Sequence, residues 1–316
     1  MTPLRSIALT LFRPPEHLED QLRRRFEMAP FEDVPADLRE QWLDRNAERV
    51  AAVVTNGHIG CPGSLIGALP NLAIIAIHGV GFDKVDLAAA HSAGVVVTNT
   101  PGVLTDDVAD LAVGLVISLL RGIPAADRFV RAGRWAQSEF RLATSVTGKR
   151  FGIVGLGRIG QAIAVRLGAF GPVAYTGPRE KPVEWRFHAD AISLAQWSDV
   201  LVIASAASER TRGLVGREVI EALGPDGYLI NVARGSIVDE HALSAAVAAG
   251  TIAGAALDVF VNEPQPDPAL IASDRTVLTP HIGSATIETR RRMADMVIAN
   301  LDAFLAGGQP PNQVQA

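Results

Sequence analysis

The run Gly155-Leu156-Gly157-Arg158-Ile159-Gly160 constrains this chain of 316 residues more than any other stretch. An apolar segment, Phe151-Gly152-Ile153-Val154, leads directly into Gly155, and a helical pattern runs from Arg158 to Phe170. A strand that turns on glycines into a helix is the context a dinucleotide fingerprint requires. The first glycine turns the chain, the second lets the backbone approach a pyrophosphate, and the third lets helix pack on strand. The helix N-terminus, here Arg158, Ile159 and Gly160, then offers free N–H groups to the phosphates.

The strand after this helix should end in an acid if a ribose 2′-hydroxyl is to be gripped. It ends instead in Thr176, 21 positions after Gly155, followed by Gly177-Pro178-Arg179-Glu180-Lys181. An acid there would repel a 2′-phosphate, whereas threonine with Arg179, Lys181 and Arg158 nearby would accept one. The expected cofactor is therefore NADP(H), with NAD(H) as the alternative if Arg179 and Lys181 belong to an ordinary solvated loop.

Short apolar strands alternate with helical stretches nearly throughout, the pattern of a parallel α/β sheet. Strands are predicted at Ser6–Leu11, Ala51–Thr55, Ala73–Ile77 and Val95–Val97, with helices near Glu16–Phe26, Ala36–Arg45, Ser64–Ala68 and Lys84–Ser92. A turn at Asn99-Thr100-Pro101-Gly102 precedes a long helix starting near Leu104, whose stretch Leu111–Leu120 is apolar almost all round. Such a helix must be covered on more than one side, by its own sheet or by another subunit. A second region has strands at Phe151–Val154, Val173–Thr176, Val200–Ala204, Tyr228–Val232, Gly254–Val259 and Thr276–Leu278. A last helix, Ser284–Leu305, is followed by a Gly/Pro/Gln-rich tail expected to fray.

Three polar residues follow the ends of three of these strands. Arg234 follows Tyr228–Val232, Glu263 comes shortly after Asp258 at the end of Gly254–Val259, and His281 follows Thr276–Leu278. In a parallel sheet, ligands bind beyond the carboxyl ends of the strands. A guanidinium there can hold a carboxylate and polarise an adjacent carbonyl. A histidine beside a carboxylate has its protonated form favoured, as reduction of a ketone needs. Of the other histidines, His17, His188 and His241 read as surface residues, and His58 could line a cleft.

Bulk properties exclude several classes. Hydrophobic residues are 48% and aromatics 5%, which suits parallel strands under small-residue helices better than an aromatic-rich sandwich. A net charge of −5 gives no footprint for nucleic acid or an anionic membrane. Cys61 is the only cysteine, so no intramolecular disulfide forms, and a reducing compartment follows. Met1–Arg5 leads into a strand without the apolar stretch of a signal peptide, so a soluble, cytoplasmic protein is expected. No histidine or cysteine cluster has ligand spacing, so no metal is expected, and no Gly-x-Ser-x-Gly elbow suggests a serine hydrolase.

Taken together, the chain resembles the D-2-hydroxyacid dehydrogenases, in particular their glyoxylate/hydroxypyruvate reductase group. The resemblance runs over nearly the full length. It is carried by Gly79-Val80-Gly81-Phe82-Asp83, Val103–Asp110, Gly155–Gly160, Asn231-Val232-Ala233-Arg234-Gly235, Asn262-Glu263-Pro264 and Pro280-His281-Ile282-Gly283-Ser284. Glu263 lies 29 positions after Arg234 and 18 before His281.

The resemblance implies two Rossmann-like doubly wound α/β domains. Residues 1–100 and 284–316 would form a discontinuous, flavodoxin-like substrate domain, and 101–283 the dinucleotide-binding domain, closing over substrate. Backbone N–H groups of Val80 and Gly81, with Gly57 nearby, would hold the substrate carboxylate. Arg234 would bind carboxylate and keto oxygen, His281 would be the acid/base, and Glu263 its partner. Asp258 would hold the nicotinamide carboxamide, with Thr105 near that ring. The remaining cofactor contacts would come from Gly155, Gly157, Arg158, Ile159, Gly160, Thr176, Arg179, Ala206, Thr211, Val232, Ala233 and Gly283. Two features depart from the pattern: Ala206 stands where relatives often carry proline, and Thr176 replaces the acid of NAD-dependent relatives.

The implied reaction is reduction of a small 2-keto acid to the D-2-hydroxy acid, with glyoxylate or hydroxypyruvate favoured. The implied assembly is a homodimer, joined through helix Leu111–Leu120 and the segment Arg134 to Leu142. The rival readings are a nucleotide-sensing corepressor and a phosphite or phosphoglycerate dehydrogenase on the same scaffold. Formate dehydrogenation is disfavoured by Glu263, where formate dehydrogenases place glutamine.

Overall fold

The structure, a computed structural model, describes residues 6–315. The N-terminal stretch Met1–Arg5 read above lies outside the described residues. The chain divides into two compact units, Met1–Leu104 with Thr286–Ala316, and Thr105–Ala285.

The first unit is built on five parallel strands: β1 (Ile7–Thr10), β2 (Glu27–Pro30), β3 (Val50–Asn56), β4 (Ile74–His78) and β5 (Val96–Thr98). Their order is β2-β1-β3-β4-β5, the doubly wound order of flavodoxin-like folds. Alternation splits the apolar side chains between two faces. Leu9, Val53, Ile75 and Ile77 pack with Ile66, Leu69 and Leu72 on one face. Ala8, Ala52, Val54, Ile74 and Ala76 pack on the other against Leu18, Leu22, Ala294, Val297 and Leu301. The last three belong to helix Ile287–Leu305, which is how the end of the chain rejoins the first unit. β2 carries charge and proline at an edge position, which explains why no alternation marked it.

The second unit has seven parallel strands: β6 (Phe151–Val154), β7 (Val173–Thr176), β8 (Arg186–His188), β9 (Val200–Ile203), β10 (Tyr228–Asn231), β11 (Gly254–Leu257) and β12 (Thr276–Leu278). Their order is β12-β11-β10-β9-β6-β7-β8. β6, β7, β9 and β11 are buried along their whole length, because helices cover both faces. The order reverses between β6 and β9, so this sheet opens a ligand crevice beyond the carboxyl ends of those two strands. Helix Thr105–Arg121 buries Val108, Ala109, Ala112, Leu115, Val116 and Leu120 and packs on helix Arg158–Leu167. Leu111, Val113 and Ile117 on the same helix stay partly exposed. Trp135 is 70% exposed and Leu142 is 96% exposed. No single helix among the described residues is long and apolar enough to cross a membrane.

Two expectations need correction. The tail does not fray: Val314 N–H donates to the Val97 carbonyl at 2.8 Å, and Gln313 bridges Thr98 antiparallel, because edge strand β5 offers unpaired backbone groups. His188 is buried rather than on the surface, since it ends β8 with its ring 5.8 Å from that of Trp197. Lys181, expected with Arg179 to accept a 2′-phosphate, is tied to the glycine turn. Its ammonium donates to the Leu156 carbonyl at 2.6 Å.

Among the described residues of the first unit, Cys61 and His78 are buried without an oppositely charged partner for their ionised form. Burial pushes the Cys61 thiol up to about 12, so it is an inert filler. His78 at the end of β4 is 2% exposed and stacks on Phe12 with ring centroids 5.8 Å apart. Burial, with the Arg290 charge adding to it, lowers its pKa to about 4. A histidine whose folded pKa lies below the ordinary 6.5 is neutral when folded, while the unfolded chain takes up the proton first. Stability is therefore full above pH 6.5 and declines as pH falls toward 4, by on the order of 3 kcal/mol. The His78→Phe variant keeps the stack but does not titrate, so urea midpoints should fall less between about pH 7.5 and pH 5 than in wild type. Equal losses would remove His78 as the cause.

Candidate active site

The glycine turn joins β6 to helix Arg158–Leu167 with three different steric demands. Gly155 has φ +94, and a Cβ there would lie 2.5 Å from Ser205 Cα. A Cβ on Gly160 would lie 2.1 Å from the Gly155 carbonyl oxygen. A Cβ on Gly157 would meet nothing within 4 Å. The first and third glycines are thus demanded by the fold, while the second faces open space. Gly157 is also the N-cap of the helix, with no side chain capping it, so the amides of the first turn face outward. This fits a dinucleotide pyrophosphate.

The neighbouring strand ends complete this wall. Thr176 is buried at the end of β7, and its carbonyl accepts the Gly155 N–H at 2.9 Å. Arg158 and Arg179 are exposed. Beyond β9, Thr211 folds its loop on itself: its hydroxyl donates to the Ala206 carbonyl at 2.8 Å and accepts the Ser208 N–H at 2.8 Å. Val232 is buried and Ala233 half-buried after β10, and Thr105 is half-buried at the start of its helix.

Beyond β10, β11 and β12 the three polar residues are positioned by backbone contacts. The Asn231 side chain donates to the Arg234 carbonyl at 2.9 Å and accepts the Ala233 N–H at 3.0 Å, which fixes the turn that presents Arg234. The Arg234 guanidinium donates to the Ala233 carbonyl at 2.8 Å. Gly235 lies so close under Phe260 that a Cβ would be 2.0 Å from the Phe260 carbonyl carbon. The Phe260 N–H in turn donates to Glu263 Oε1 at 3.0 Å. His281 Nδ1 lies 2.9 Å from Glu263 Oε2 and 3.1 Å from Oε1. Both side chains are about a quarter exposed, at 23% and 24%. An anionic carboxylate accepts only, so Nδ1 carries the proton, and Nε2 lies on the ring edge turned away from Glu263.

His281 has φ +53, unusual for a residue with a side chain. Such a conformation costs on the order of 1 kcal/mol and persists only where surroundings impose it. Asp258 imposes it. Its carboxylate accepts from the Thr279 hydroxyl at 2.6 Å, the Ile282 N–H at 2.8 Å and the Gly283 N–H at 2.9 Å. Burial pushes the Asp258 carboxyl above its ordinary range, and those three donors and His281 pull it back. A carboxylate that is 1% exposed and accepts three hydrogen bonds from this turn is a structural clamp on the histidine. Sequence reasoning placed Asp258 at the site but missed this clamp, because backbone donors leave no residue signature.

The remaining expected residues belong to the first unit. Gly57 follows Asn56, whose side chain accepts the His58 and Ile59 N–H groups at 2.9 and 3.0 Å. Val80 and Gly81, half-buried, follow β4.

Comparison with known proteins agrees with this geometry. Residues 113–283 match the family described as D-isomer specific 2-hydroxyacid dehydrogenase, NAD binding domain. The chain belongs to the D-isomer specific 2-hydroxyacid dehydrogenase family. It is 45% identical over 307 residues to a glyoxylate/hydroxypyruvate reductase of Arabidopsis thaliana, covering 96% of this chain and 97% of that one. It is 46% identical over 293 residues to hydroxyphenylpyruvate reductase of Plectranthus scutellarioides, covering 92% and 93%. Among solved structures, the NADPH-dependent glyoxylate/hydroxypyruvate reductase of Sinorhizobium meliloti, in complex with NADP and malonate, superposes with a TM-score of 0.90. It is 38% identical, with 98% and 97% of the two chains covered. A 2-hydroxyacid dehydrogenase of Ketogulonicigenium vulgare gives a TM-score of 0.91 at 41% identity, with 99% of each covered.

The glycine turn makes a direct prediction. Gly157→Ala should fold with an unchanged melting temperature yet bind NADPH at least about tenfold more weakly, since its methyl would enter the space left for pyrophosphate. Gly160→Ala should be destabilised instead. Fluorescence titration with NADPH and thermal melts check both; unaltered affinity in Gly157→Ala would contradict the placement.

Proposed function

We propose that this chain reduces a small 2-keto acid, glyoxylate or hydroxypyruvate being favoured, to the D-2-hydroxy acid, with NADP(H) preferred over NAD(H). The observation that carries the reading is the Glu263 carboxylate on His281 Nδ1, which leaves Nε2 as the proton-transferring atom. The names of the relatives favour turnover over the nucleotide-sensing alternative. Thr176 in place of an acid, with exposed Arg158 and Arg179, supports the 2′-phosphorylated nucleotide.

In this reading a nucleotide bound at the glycine turn supplies the hydride for the keto carbon. Backbone N–H groups of Val80 and Gly81, in the substrate domain of residues 1–100 and 284–316, hold the substrate carboxylate. Arg234 binds the carboxylate and the keto oxygen and stabilises the negative charge that grows on that oxygen. His281 gives its Nε2 proton to the same oxygen as the C=O π pair moves onto it. Glu263 accepts the hydrogen bond of the Nδ1 proton, which stays on the ring throughout the transfer. Asp258 keeps the imidazole in place and offers its remaining acceptor capacity to the nicotinamide carboxamide.

We further infer a cytoplasmic homodimer. A reducing compartment suits a single cysteine. The partly exposed Val113 and Ile117, which share a helix face, and the exposed Trp135 and Leu142 are apolar side chains a partner subunit would cover.

Steady-state kinetics on glyoxylate and hydroxypyruvate test the chemistry. His281→Ala should lose at least about two orders of magnitude in kcat. Arg234→Ala should also raise KM, and kcat/KM should be higher with NADPH than with NADH. Near-normal turnover of His281→Ala, or a preference for NADH, would refute the corresponding assignment. Light scattering at micromolar concentration should give twice the chain mass of 33.4 kDa; a monomeric mass would refute the dimer.

A further inference from the structure

The loop Gly79-Val80-Gly81 is held from behind. Thr100 N–H donates to the Gly79 carbonyl at 2.9 Å, and the Asn99 side chain donates to the Val80 carbonyl at 2.9 Å. Each bond turns a carbonyl toward the protein, and so sets the tilt of that peptide plane, whose N–H, on the next residue, points the other way. Asn99 is held in turn. Its carbonyl accepts from the Asn300 side chain at 3.2 Å, and its N–H donates to the Asn312 carbonyl at 3.2 Å. Asn300 Oδ1 then accepts both the N–H of Asn312, at 3.2 Å, and its side-chain amide, at 3.1 Å. A continuous chain of hydrogen bonds runs from the tail, through two buried asparagines, to Val80.

Asn300 is out of place by ordinary rules. It is fully buried on helix Ile287–Leu305, in a stretch whose neighbours Val297, Ile298 and Leu301 are buried and apolar. Asparagine is a poor helix former and its amide is costly to bury unpaired. An apolar residue would pack there without that cost, so the amide is retained for what it holds. The tail it holds is ordered by more than this: Val314 N–H pairs with Val97, Val314 packs against the core, and Pro310 is buried.

We propose that the C-terminal segment Gln309–Gln315 is a strap that positions the substrate-carboxylate loop through Asn312, Asn300 and Asn99. These are positioning residues. The inference rests on the reading that the Val80 and Gly81 amides bind the carboxylate. Loss of the strap lets the loop tilt, which weakens keto-acid binding and leaves nucleotide binding and the proton-transfer step intact.

The test uses the full chain, Asn312→Ala, and a chain ending at Gly308, should the shortened chain fold poorly the point variant standing alone. KM for glyoxylate and the affinity for oxamate, a non-reducible mimic, should weaken about fivefold or more, the effect of one lost buried hydrogen bond. The kcat and NADPH affinity should stay within about twofold. A lowered melting temperature with unchanged KM and oxamate affinity would overturn the strap. In 15N-labelled wild type with NADPH, oxamate should shift the Val80 and Gly81 amide resonances. If those resonances stay put, the carboxylate-loop reading itself fails, and the strap with it. If they shift while Asn312→Ala binds oxamate normally, only the strap fails.

Discussion

The site depends on the hydrogen bonds that the Asp258 carboxylate accepts from the turn carrying His281. Without them the left-handed backbone at His281 would relax, since a residue with a side chain prefers negative φ. The same turn is held from a second direction by Glu263, itself fixed by the Phe260 N–H. Gly235 lets the Arg234 strand end lie directly under that Phe260 backbone. Two carboxylates with different jobs therefore serve one imidazole. Asp258, buried and accepting three hydrogen bonds from the turn, sets where the ring is. Glu263, partly exposed and facing Nδ1, sets which nitrogen carries the proton.

Much of this was legible because some residues are forced by backbone geometry. A glycine that must adopt positive φ, as at Gly155, or admit a helix at close range, as at Gly160, leaves a mark that no other residue can replace. The polar residues beyond β10, β11 and β12 were legible because each interrupts the end of an apolar run. What was not legible is what backbone does with backbone. The clamp at Asp258 uses two main-chain donors, and any residue can supply those. The tail was expected to fray for its Gly, Pro and Gln content, yet it docks through main-chain pairing with β5. Strands β2 and β8 were missed because an edge strand with charged residues shows no alternation.

Buried polar side chains were the other blind spot. His188 was expected at the surface and His78 drew no reading, yet both lie at the carboxyl ends of parallel strands and are enclosed by packing. Asn300 shares the feature on a helix. Burying such a group costs stability unless it is hydrogen-bonded, and Asn300 is the one of the three whose amide is engaged on both its oxygen and its nitrogen. In the first unit what is held is the loop after β4, and the polar chain reaches it from the last residues of the sequence.

The central claim is that His281 and Arg234 share one ligand atom, the oxygen that becomes the hydroxyl. A crystal structure of the protein with NADPH and oxamate tests it most directly. The account predicts His281 Nε2 and an Arg234 nitrogen each within about 3.2 Å of the carbonyl oxygen next to the oxamate carboxylate, with Glu263 still on Nδ1. An imidazole turned away from that oxygen, or an oxamate bound out of reach of Arg234, would contradict it.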